Sequence, residues 1–273
     1  MGQISGTTLD SYVSALRSVH VDLNLDTSLF NSPHIMRLLT GVKNLFPHDS
    51  KRNRQAISRS LLCELLSEKA TLGENSIDTL NLNAAFSIAF SGFMRMGELT
   101  HNEKALQDSK RFNAEKLTRR RVTPAAGGEH VVVHLPRSKT DKHNAGVDIL
   151  IAASHDDVCP AGHMFKLLQR DPQLLEAPLF RLSSGAFERN KVLALLATRF
   201  RRLGRSSSGF SGHSFRKGAA QHAYEMRLSE EHIQALGRWS SDSVKRYYKK
   251  NPLFILNLQR QFNTGLAPAL LQK

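Results

Sequence analysis

Four short stretches of this sequence carry unusual polar residues. They hold Arg95 and Glu98 in FSGFMRMGELT, Lys139 in RSKTDK, His213 and Arg216 in SGHSFRKGAA, and Trp239, Tyr247 and Tyr248 in LGRWSSDSVKRYYKK. Positions i and i+3 lie side by side on a helix, so His213 and Arg216 are expected to point the same way. An imidazole and a planar guanidinium directed at one spot suit a phosphate, which arginine binds through two parallel hydrogen bonds.

The charge of the chain agrees with an anionic partner. Its 273 residues include 38 lysines and arginines against 24 aspartates and glutamates, a formal net charge of +14. This excess is too large for an ordinary enzyme of small metabolites, whereas clustered cations bind nucleic acid by releasing counterions from phosphates. The longest apolar run, around residues 84–94, is interrupted by serine and glycine and is too short to span a bilayer, so we expect no membrane partner.

The N-terminal part of the chain reads as a small helical domain. TTLDSYVSALRSVHVDL and SPHIMRLLTGVKNLF have apolar residues at helical spacing and predict this domain over residues 1–46. The polar, basic segment 47–55 is interpreted as a linker. The rest of the chain, residues 56–273, is predicted to form one larger domain.

Within the larger domain, one stretch predicts a sheet. EHVVVHLPRSKTDKHNAGVDILIAA contains two β-branched runs, Val131–Leu135 and Val147–Ile151, separated by a polar loop that carries Lys139. The pattern after Asp156 is helical to the end. The expected fold class is therefore mainly α with a small antiparallel sheet (α+β).

Taken in chain order, the polar residues resemble those of the tyrosine recombinases, the family of phage integrases, Cre-type recombinases and related transposon enzymes. That family carries an Arg, a hairpin Lys, His-x-x-Arg, a His or Trp, and a nucleophilic Tyr. The resemblance extends from about Thr7 to Gln261. It implies the tyrosine recombinase catalytic fold with an N-terminal helical core-binding domain. SALRSVHVDLNL, RSKTDK and LGRWSSD are most similar to Crypton- and DIRS-type recombinases of eukaryotic mobile elements, which implies a nuclear location; a non-eukaryotic chain would be cytoplasmic.

The resemblance also implies a reaction, in which a tyrosine attacks a DNA phosphodiester and forms a 3′-phosphotyrosyl link. Arg95 and Arg216 would clamp the phosphate and stabilise the charge that develops on its oxygens. His213 would donate to the same phosphate or help to take the proton from the tyrosine. Lys139 would protonate the leaving 5′-oxygen. No cofactor and no metal are expected, and the widely separated Cys63 and Cys159 predict no Cys-rich metal site.

The nucleophile is one of two adjacent tyrosines. Tyr247 and Tyr248 follow Val244 at i+3 and i+4, so both lie on one side of a helix and periodicity does not separate them. A spacing of nine residues from Trp239, as in bacterial and phage members, favours Tyr248. RYYK instead resembles the pattern of the eukaryotic elements with Tyr247 as nucleophile, and Tyr247 is slightly preferred. By the same resemblance Trp239 would donate its indole N–H and exclude water, and Glu98 would support Arg95.

Double-stranded DNA is the expected partner, and the resemblance implies a homo-oligomer, a tetramer on DNA. Basic runs in KLTRRR and RFRRLGR are candidate phosphate contacts, in which the residues of interest are Arg119, Arg120, Arg121, Arg201 and Arg202. Two other functions are compatible with the sequence. One is strand relaxation by a type IB topoisomerase-like enzyme, and the other is DNA binding by a recombinase-derived protein that has lost its activity.

Overall fold

The computed structural model describes residues 6–45, 54–137 and 145–239 of the chain. Lys139, Tyr247 and Tyr248 lie outside these ranges. The chain divides into two compact units, Met1–Arg54 and Gln55–Lys273. No helix within the described ranges combines the length and apolar character needed to cross a membrane.

The first unit is a pair of helices. Helix α1 spans Gly6–Asp22 and helix α2 spans Pro33–Leu45, with a single 3-10 turn at Ser28–Asn31 between them. Lys43 of α2 forms an ion pair with Asp10 of α1 at 2.8 Å. No side chain of α2 is buried, so the described part of this unit has no closed apolar core.

The second unit holds the remaining elements. Its helices are α3 Arg59–Leu66, α4 Glu68–Thr71, α5 Ser76–Ser91, α6 Met96–Leu99, α7 Glu103–Leu106, α8 Ser109–Glu115, α9 Pro160–Arg170, α10 Arg189–Arg202, α11 Ser214–Glu225 and α12 Glu230–Gly237. Its strands are β1 Val122–Pro124, β2 His130–Leu135, β3 Val147–Ala152, β4 Arg181–Leu182 and β5 Gly185–Ala186. The mainly helical fold class with a small antiparallel sheet is confirmed.

Strands β1, β2 and β3 form one antiparallel sheet in chain order. Alternate residues of β2 are buried, which is the period-2 pattern of a strand with one face on the core. The two predicted strands are therefore present, in a register that places Val131 opposite Ile151. The prediction that the chain is helical after Asp156 is wrong at β4 and β5, which pair as a two-residue hairpin too short to show any alternation.

Helix α5 is the centre of the core. From Ala84 to Phe90 every residue is buried, rather than one stripe of them, which is typical of a helix enclosed in the core. The ring of Phe86 on α5 stacks on that of Phe215 on α11, with 4.8 Å between centroids. Helix α11 lies so close to the backbone before α3 that a Cβ at Gly218 would overlap the carbonyl of Ile57. Helix α11 is thereby packed against both α5 and the segment before α3.

Candidate active site

Arg95 lies between α5 and α6, where Glu98 holds it in place. Its guanidinium Nη1 donates to Glu98 Oε1 at 2.8 Å, and its backbone N–H donates to Glu98 Oε2 at 2.8 Å. The carboxylate therefore satisfies a backbone donor at the start of α6 and orients the guanidinium at the same time. The side chain of Arg95 is 20% exposed and that of Glu98 is 7% exposed, so the arginine reaches the surface and its support does not.

His213 stands directly before α11, next to the segment that carries Arg95. The backbone N–H of Met96 donates to the carbonyl of Gly212 at 3.3 Å. A Cβ at Gly212 would lie 2.9 Å from that of Met96, so the close approach of the two segments requires glycine. Met96 and Gly212, the residues next to Arg95 and His213 in the chain, are thus hydrogen-bonded to each other. Arg95 and His213 are therefore brought near each other although they are far apart in sequence.

Arg216 lies with these residues but does not reach the surface. Its side chain is fully buried, with Nη1 donating to the carbonyl of Phe93 and Nη2 donating to that of Gly237 at 2.5 Å. The expectation that Arg216 faces a phosphate from the first turn of α11 stays a prediction. In this conformation the guanidinium instead ties the backbone before Arg95 to the end of α12.

Trp239 covers Arg216. The guanidinium carbon of Arg216 lies 4.1 Å from the centroid of the indole, a cation–π distance, and the ring of Phe93 meets the indole edge-on at 6.0 Å. A Cβ at Gly237 would overlap the indole, so glycine is required at the end of α12. Helix α12 begins behind Ser229, whose hydroxyl accepts from the N–H of His232 at 3.2 Å.

Arg238 was not singled out from the sequence, yet it lies in the same cluster. Its Nη1 donates to the carbonyl of Gly92 at 2.8 Å, and its Nη2 lies 3.5 Å from Glu98 Oε2. Burial lowers the pKa of the Arg238 guanidinium, Glu98 opposes that change, and the charge of Arg95 adds to it. Neighbouring residues of a helix point in different directions, so helical spacing does not predict that Arg238 and Trp239 share a site. The left-handed backbone of Arg238, with φ of +56°, brings them together.

A cavity of about 370 Å³ opens beside Arg95. Its charged lining consists of Arg95, Glu98, Glu115, Lys116 and Arg137, three cations and two carboxylates. Arg137 follows β2 and donates to Glu115 at 3.3 Å, so the base of the hairpin that carries Lys139 lies beside the Arg95 guanidinium. Cations outnumber carboxylates in this lining by one, which suits an anion.

Arg119 is not a surface cation. Its side chain is 3% exposed and donates to Asp171 at 3.1 Å, and Asp171 also accepts from Arg181 at 2.6 Å. Burial lowers the pKa of the Arg119 guanidinium, which Asp171 opposes, and the pKa of Asp171 is lowered because its bonds to Arg181 and Asn81 outweigh its own burial. The Arg119 guanidinium is enclosed in this ion pair, and the expectation that Arg119 contacts DNA stays a prediction.

The other four candidate phosphate contacts differ in their accessibility. Arg120 is exposed and forms an ion pair with Glu176. The other three donate within the protein: Arg121 to the carbonyl of Asn113 at 2.6 Å, Arg201 to Thr198 Oγ1 at 3.2 Å, and Arg202 to the carbonyl of Ala70 at 3.1 Å. Arg120 and Arg201 keep exposed guanidinium groups and stay candidates for phosphate contact.

Among the described residues, no group of three or more His, Cys, Asp and Glu side chains is arranged to hold a metal ion. The side chains that meet at the site in the described part of the chain carry guanidinium, imidazole and carboxylate groups. These groups can bind a phosphate, stabilise added charge on its oxygens and move a proton.

No protein-family model and no curated protein matches the sequence. Solved structures do match. The Tn1549 transposon integrase in complex with transposon right-end DNA gives a TM-score of 0.62 at 12% identity, covering 97% of this chain and 81% of that one. The XerH site-specific recombinase bound to its difH substrate gives 0.52 at 12% identity, covering 95% and 71%. A lambda integrase dimer bound to a COC′ core site gives 0.51 at 16% identity, covering 92% and 82%.

At identities this low, the structural matches establish a shared fold and nothing more. The matches extend over nearly all of the chain. This chain has the fold of the tyrosine recombinase and integrase catalytic domains.

Proposed function

We propose that this protein is a site-specific recombinase that cleaves and rejoins double-stranded DNA through a 3′-phosphotyrosyl intermediate. One observation carries the proposal. Segments near Arg95, His213 and Trp239, which are distant in sequence, meet through direct contacts and place guanidinium groups beside a cationic cavity. The fold shared with DNA-bound recombinases and integrases supports the same reaction class.

The proposed reaction exchanges one phosphoester for another. A phenol oxygen of Tyr247 or Tyr248 bonds to the scissile phosphorus while the bond to the 5′-oxygen breaks, and the phenol proton passes to His213. Lys139 gives a proton to the leaving 5′-oxygen. Arg95 stabilises the charge on the phosphate oxygens. Attack by a 5′-hydroxyl of a partner strand reverses these steps and joins the new strands.

Support for Lys139 is indirect, because it lies outside the described residues. Arg137, two residues before it, lines the same cavity as Arg95. A hairpin based at that position has the reach to bring an ammonium group to a phosphate bound by Arg95. The lysine is therefore the proposed general acid.

Arg216 and Trp239 are proposed as positioning residues. Arg216 bonds the carbonyls of Phe93 and Gly237, which flank the segments that carry Arg95 and Trp239. The indole closes over the guanidinium and shields these bonds from water. Their contribution to catalysis is the fixed geometry of the phosphate site, which accounts for a large share of an enzyme's electrostatic stabilisation.

The partner is proposed to be duplex DNA, and the active assembly a homo-tetramer on that DNA. The solved relatives on DNA, one of them a dimer, support DNA binding and association on DNA. Affiliation with eukaryotic mobile elements, with transposition as the biological role and a nuclear location, stays a prediction from the sequence phrases. No cofactor is assigned.

The test is covalent capture. The protein is incubated with a pool of nicked duplexes of random sequence in EDTA, and DNA that stays bound in detergent is recovered and sequenced. We expect adducts at a defined sequence, lost in Tyr247→Phe and retained in Tyr248→Phe. Adducts lost only in Tyr248→Phe would identify Tyr248 as the nucleophile. Adducts retained in both variants would contradict the tyrosine mechanism.

The two rival functions give different results in this experiment. A topoisomerase-like enzyme would relax supercoiled plasmids that lack the recovered sequence, whereas a recombinase would need that sequence in both partner duplexes. An inactive DNA-binding protein would leave no DNA bound in detergent, although it would select a defined sequence when the detergent is left out. Adducts that require added Mg²⁺ would contradict a mechanism in which arginines carry the charge stabilisation.

A further inference from the structure

We propose that Cys63 and Cys159 form a redox-sensitive thiol pair, which a hydroperoxide converts to a disulfide that joins α3 to the start of α9. Cys159 is the thiol that attacks the peroxide, and Cys63 is the thiol that resolves the product. The inference is independent of the DNA cleavage proposed above. The two cysteines line a different cavity from the one beside Arg95, and neither takes part in the proposed cleavage.

Both thiols line one cavity. This cavity has a volume of about 670 Å³ and is bordered by residues of α3, α4 and the start of α9. Both cysteines are free and only partly buried, and both pack against the apolar core. A small solute that enters the cavity can therefore reach either sulfur atom.

An ion pair holds α3 against the loop that carries Cys159. Arg59, the first residue of α3, pairs with Asp156. Cys63 lies four residues after Arg59 and therefore on the same face of α3. The carbonyl of Asp156 accepts from the N–H of Cys159 at 2.9 Å. The face of α3 that carries Cys63 is thus bonded to the turn in which Cys159 lies.

Cys159 is the more nucleophilic of the two thiols. Its Sγ accepts from the N–H groups of Gly162 and Ser154, each at 3.4 Å, and it caps the 11-residue helix α9. Burial raises the pKa of the Cys159 thiol, but bonds from the N–H groups of Gly162, Ser154 and His155 outweigh burial and leave the pKa below its ordinary value. More of the attacking thiolate is therefore present. Cys63 lies inside α3, where neighbouring N–H groups are bonded along the helix.

A metal ion is another ligand that two cysteines can share. The lining also contains His163, but its Nε2 lies 2.8 Å from the carbonyl oxygen of Asp157. Within the described ranges, no three His, Cys, Asp or Glu side chains are arranged to hold a metal ion. The arrangement of these side chains therefore favours a bond between the two sulfur atoms over metal coordination.

The proposed oxidation has two balanced steps. The Cys159 thiolate attacks the distal oxygen of the hydroperoxide, so that an S–O bond forms and the O–O bond breaks. The alkoxide takes up the proton that the Cys159 thiol had released and leaves as an alcohol. The sulfur of Cys63 then attacks the Cys159 sulfenic acid, and the hydroxyl group leaves as water with the proton of the Cys63 thiol. In total, the two sulfur atoms are oxidised to one disulfide and the peroxide is reduced.

The disulfide would restrain a part of the fold that supports α11. The N–H of Ile57, just before α3, donates to the carbonyl of Ser214 at 3.0 Å, and Gly218 of α11 lies against Ile57. Helix α11 carries Arg216, and His213 stands directly before it. A cross-link from α3 to α9 also closes a long loop of chain, which restricts the unfolded state. Oxidation is therefore expected to stabilise this part of the fold.

The test maps disulfides in the full chain at high dilution. Reduced protein, freed of reductant, is exposed at pH 7 to a small excess of cumene hydroperoxide. The remaining thiols are blocked with N-ethylmaleimide in denaturant, and the peptides are analysed by mass spectrometry. We expect one cross-linked peptide that joins Cys63 to Cys159 and is lost on addition of dithiothreitol. Because a disulfide needs Cα atoms within about 7 Å, cross-linking in urea should be at least about tenfold slower.

Two single variants separate the roles of the thiols. In Cys63→Ser the attacking thiol has no partner, so Cys159 should stop at the sulfenic acid, which dimedone captures. Cys159→Ser keeps an oxygen that can cap α9, and dimedone should label its Cys63 at least about tenfold more slowly. Urea denaturation of both reduced variants checks that each is folded. Oxidation should raise the urea midpoint of the wild type and leave that of Cys63→Ser unchanged.

Several results would overturn the proposal. Sulfinic acid at Cys159 of the wild type without any cross-linked peptide would show that Cys63 does not reach it. Disulfides found only between molecules, or cross-linking that is as fast in urea as in the folded protein, would exclude a native thiol pair. Equal labelling of the two single variants, or faster labelling of Cys63, would refute the assignment of Cys159 as the attacking thiol. A lower urea midpoint after oxidation would show that the native fold does not accommodate the bond.

Discussion

The arginines of this protein differ widely in burial, and Arg216 is among the fully buried ones. Arg216 donates to two buried carbonyls, those of Phe93 and Gly237. Removing a donor from a buried acceptor costs about 1–3 kcal/mol, so Arg216→Ala should lower the free energy of unfolding by about 2–6 kcal/mol. Urea denaturation at pH 7 measures this, with Arg205→Ala as the exposed control expected within about 1 kcal/mol of wild type. A similar small effect for Arg216→Ala would disprove its role in holding the two segments.

The contact between Gly237 and Trp239 can be followed through the fluorescence of the indole. Trp239 is the single tryptophan of the chain and is buried against Phe93 and Arg216. Because a Cβ at Gly237 would overlap the indole, Gly237→Ala should displace it toward water. We expect the fluorescence emission of Gly237→Ala to move to longer wavelength. Gly41→Ala is the matched control, since a Cβ there meets no atom within 4 Å, and an unchanged emission for Gly237→Ala would contradict the packing.

At the scale of elements, His101 joins the end of α6 to two other parts of the fold. Its backbone N–H donates to the carbonyl of Phe187, and its ring packs edge-on against Phe112 of α8 at 5.1 Å. Burial, aided by the charge of Lys116 and opposed by Glu103, lowers the pKa of His101 to about 4. The ring is therefore neutral in the folded protein at pH values where it is charged after unfolding.

This lowered pKa predicts a pH dependence of stability. The unfolded state binds more protons than the folded state between the pKa of an ordinary histidine, about 6.5, and about 4, so stability falls as the pH falls through that window. We expect His101 to account for a loss of about 2 kcal/mol in unfolding free energy between pH 7 and pH 5. His163 and His222, whose pKa values are also lowered chiefly by burial, add losses of the same sign.

Urea denaturation at the two pH values tests the contribution of His101. The loss between pH 7 and pH 5 should be smaller in His101→Leu than in wild type, because His101 no longer contributes to it. It should not vanish, because His163 and His222 still contribute. The exposed His34→Gln variant should keep the full loss. An identical pH dependence in wild type and His101→Leu would show that His101 is not held neutral by the fold.

At the scale of the whole molecule, the net charge of +14 predicts binding that depends strongly on salt. Each phosphate neutralised on duplex DNA contributes about −0.9 to the slope of log affinity against log salt, so six or more contacts would give a slope of about −5 or steeper. Arg201→Ala should reduce the slope by about one if this exposed arginine contacts a phosphate. Arg205→Ala, whose arginine already pairs with Glu64, is the control. A nearly flat plot for the wild-type protein would contradict DNA binding.

The features that the sequence predicted correctly depend on short stretches of chain. The alternation of Val131 and Val133 defines β2 without knowledge of its neighbours. The spacing of Arg95 and Glu98 already implies that they lie together. The two short strands β4 and β5 escaped prediction because a pair of residues contains no period.

The sequence by itself determined the mainly helical fold class, the main hairpin and the charge, because composition and local spacing carry this information. Only the tertiary structure decided which arginines reach the surface. Arg216 and Arg238 lie on neighbouring helices, but carbonyls from Phe93 and Gly237 enclose the first, while Glu98 holds the second at the site. Arg119 is likewise enclosed by Asp171, 52 residues away. Burial depends on which distant segments pack against a side chain, and a single sequence does not contain that packing in any local pattern.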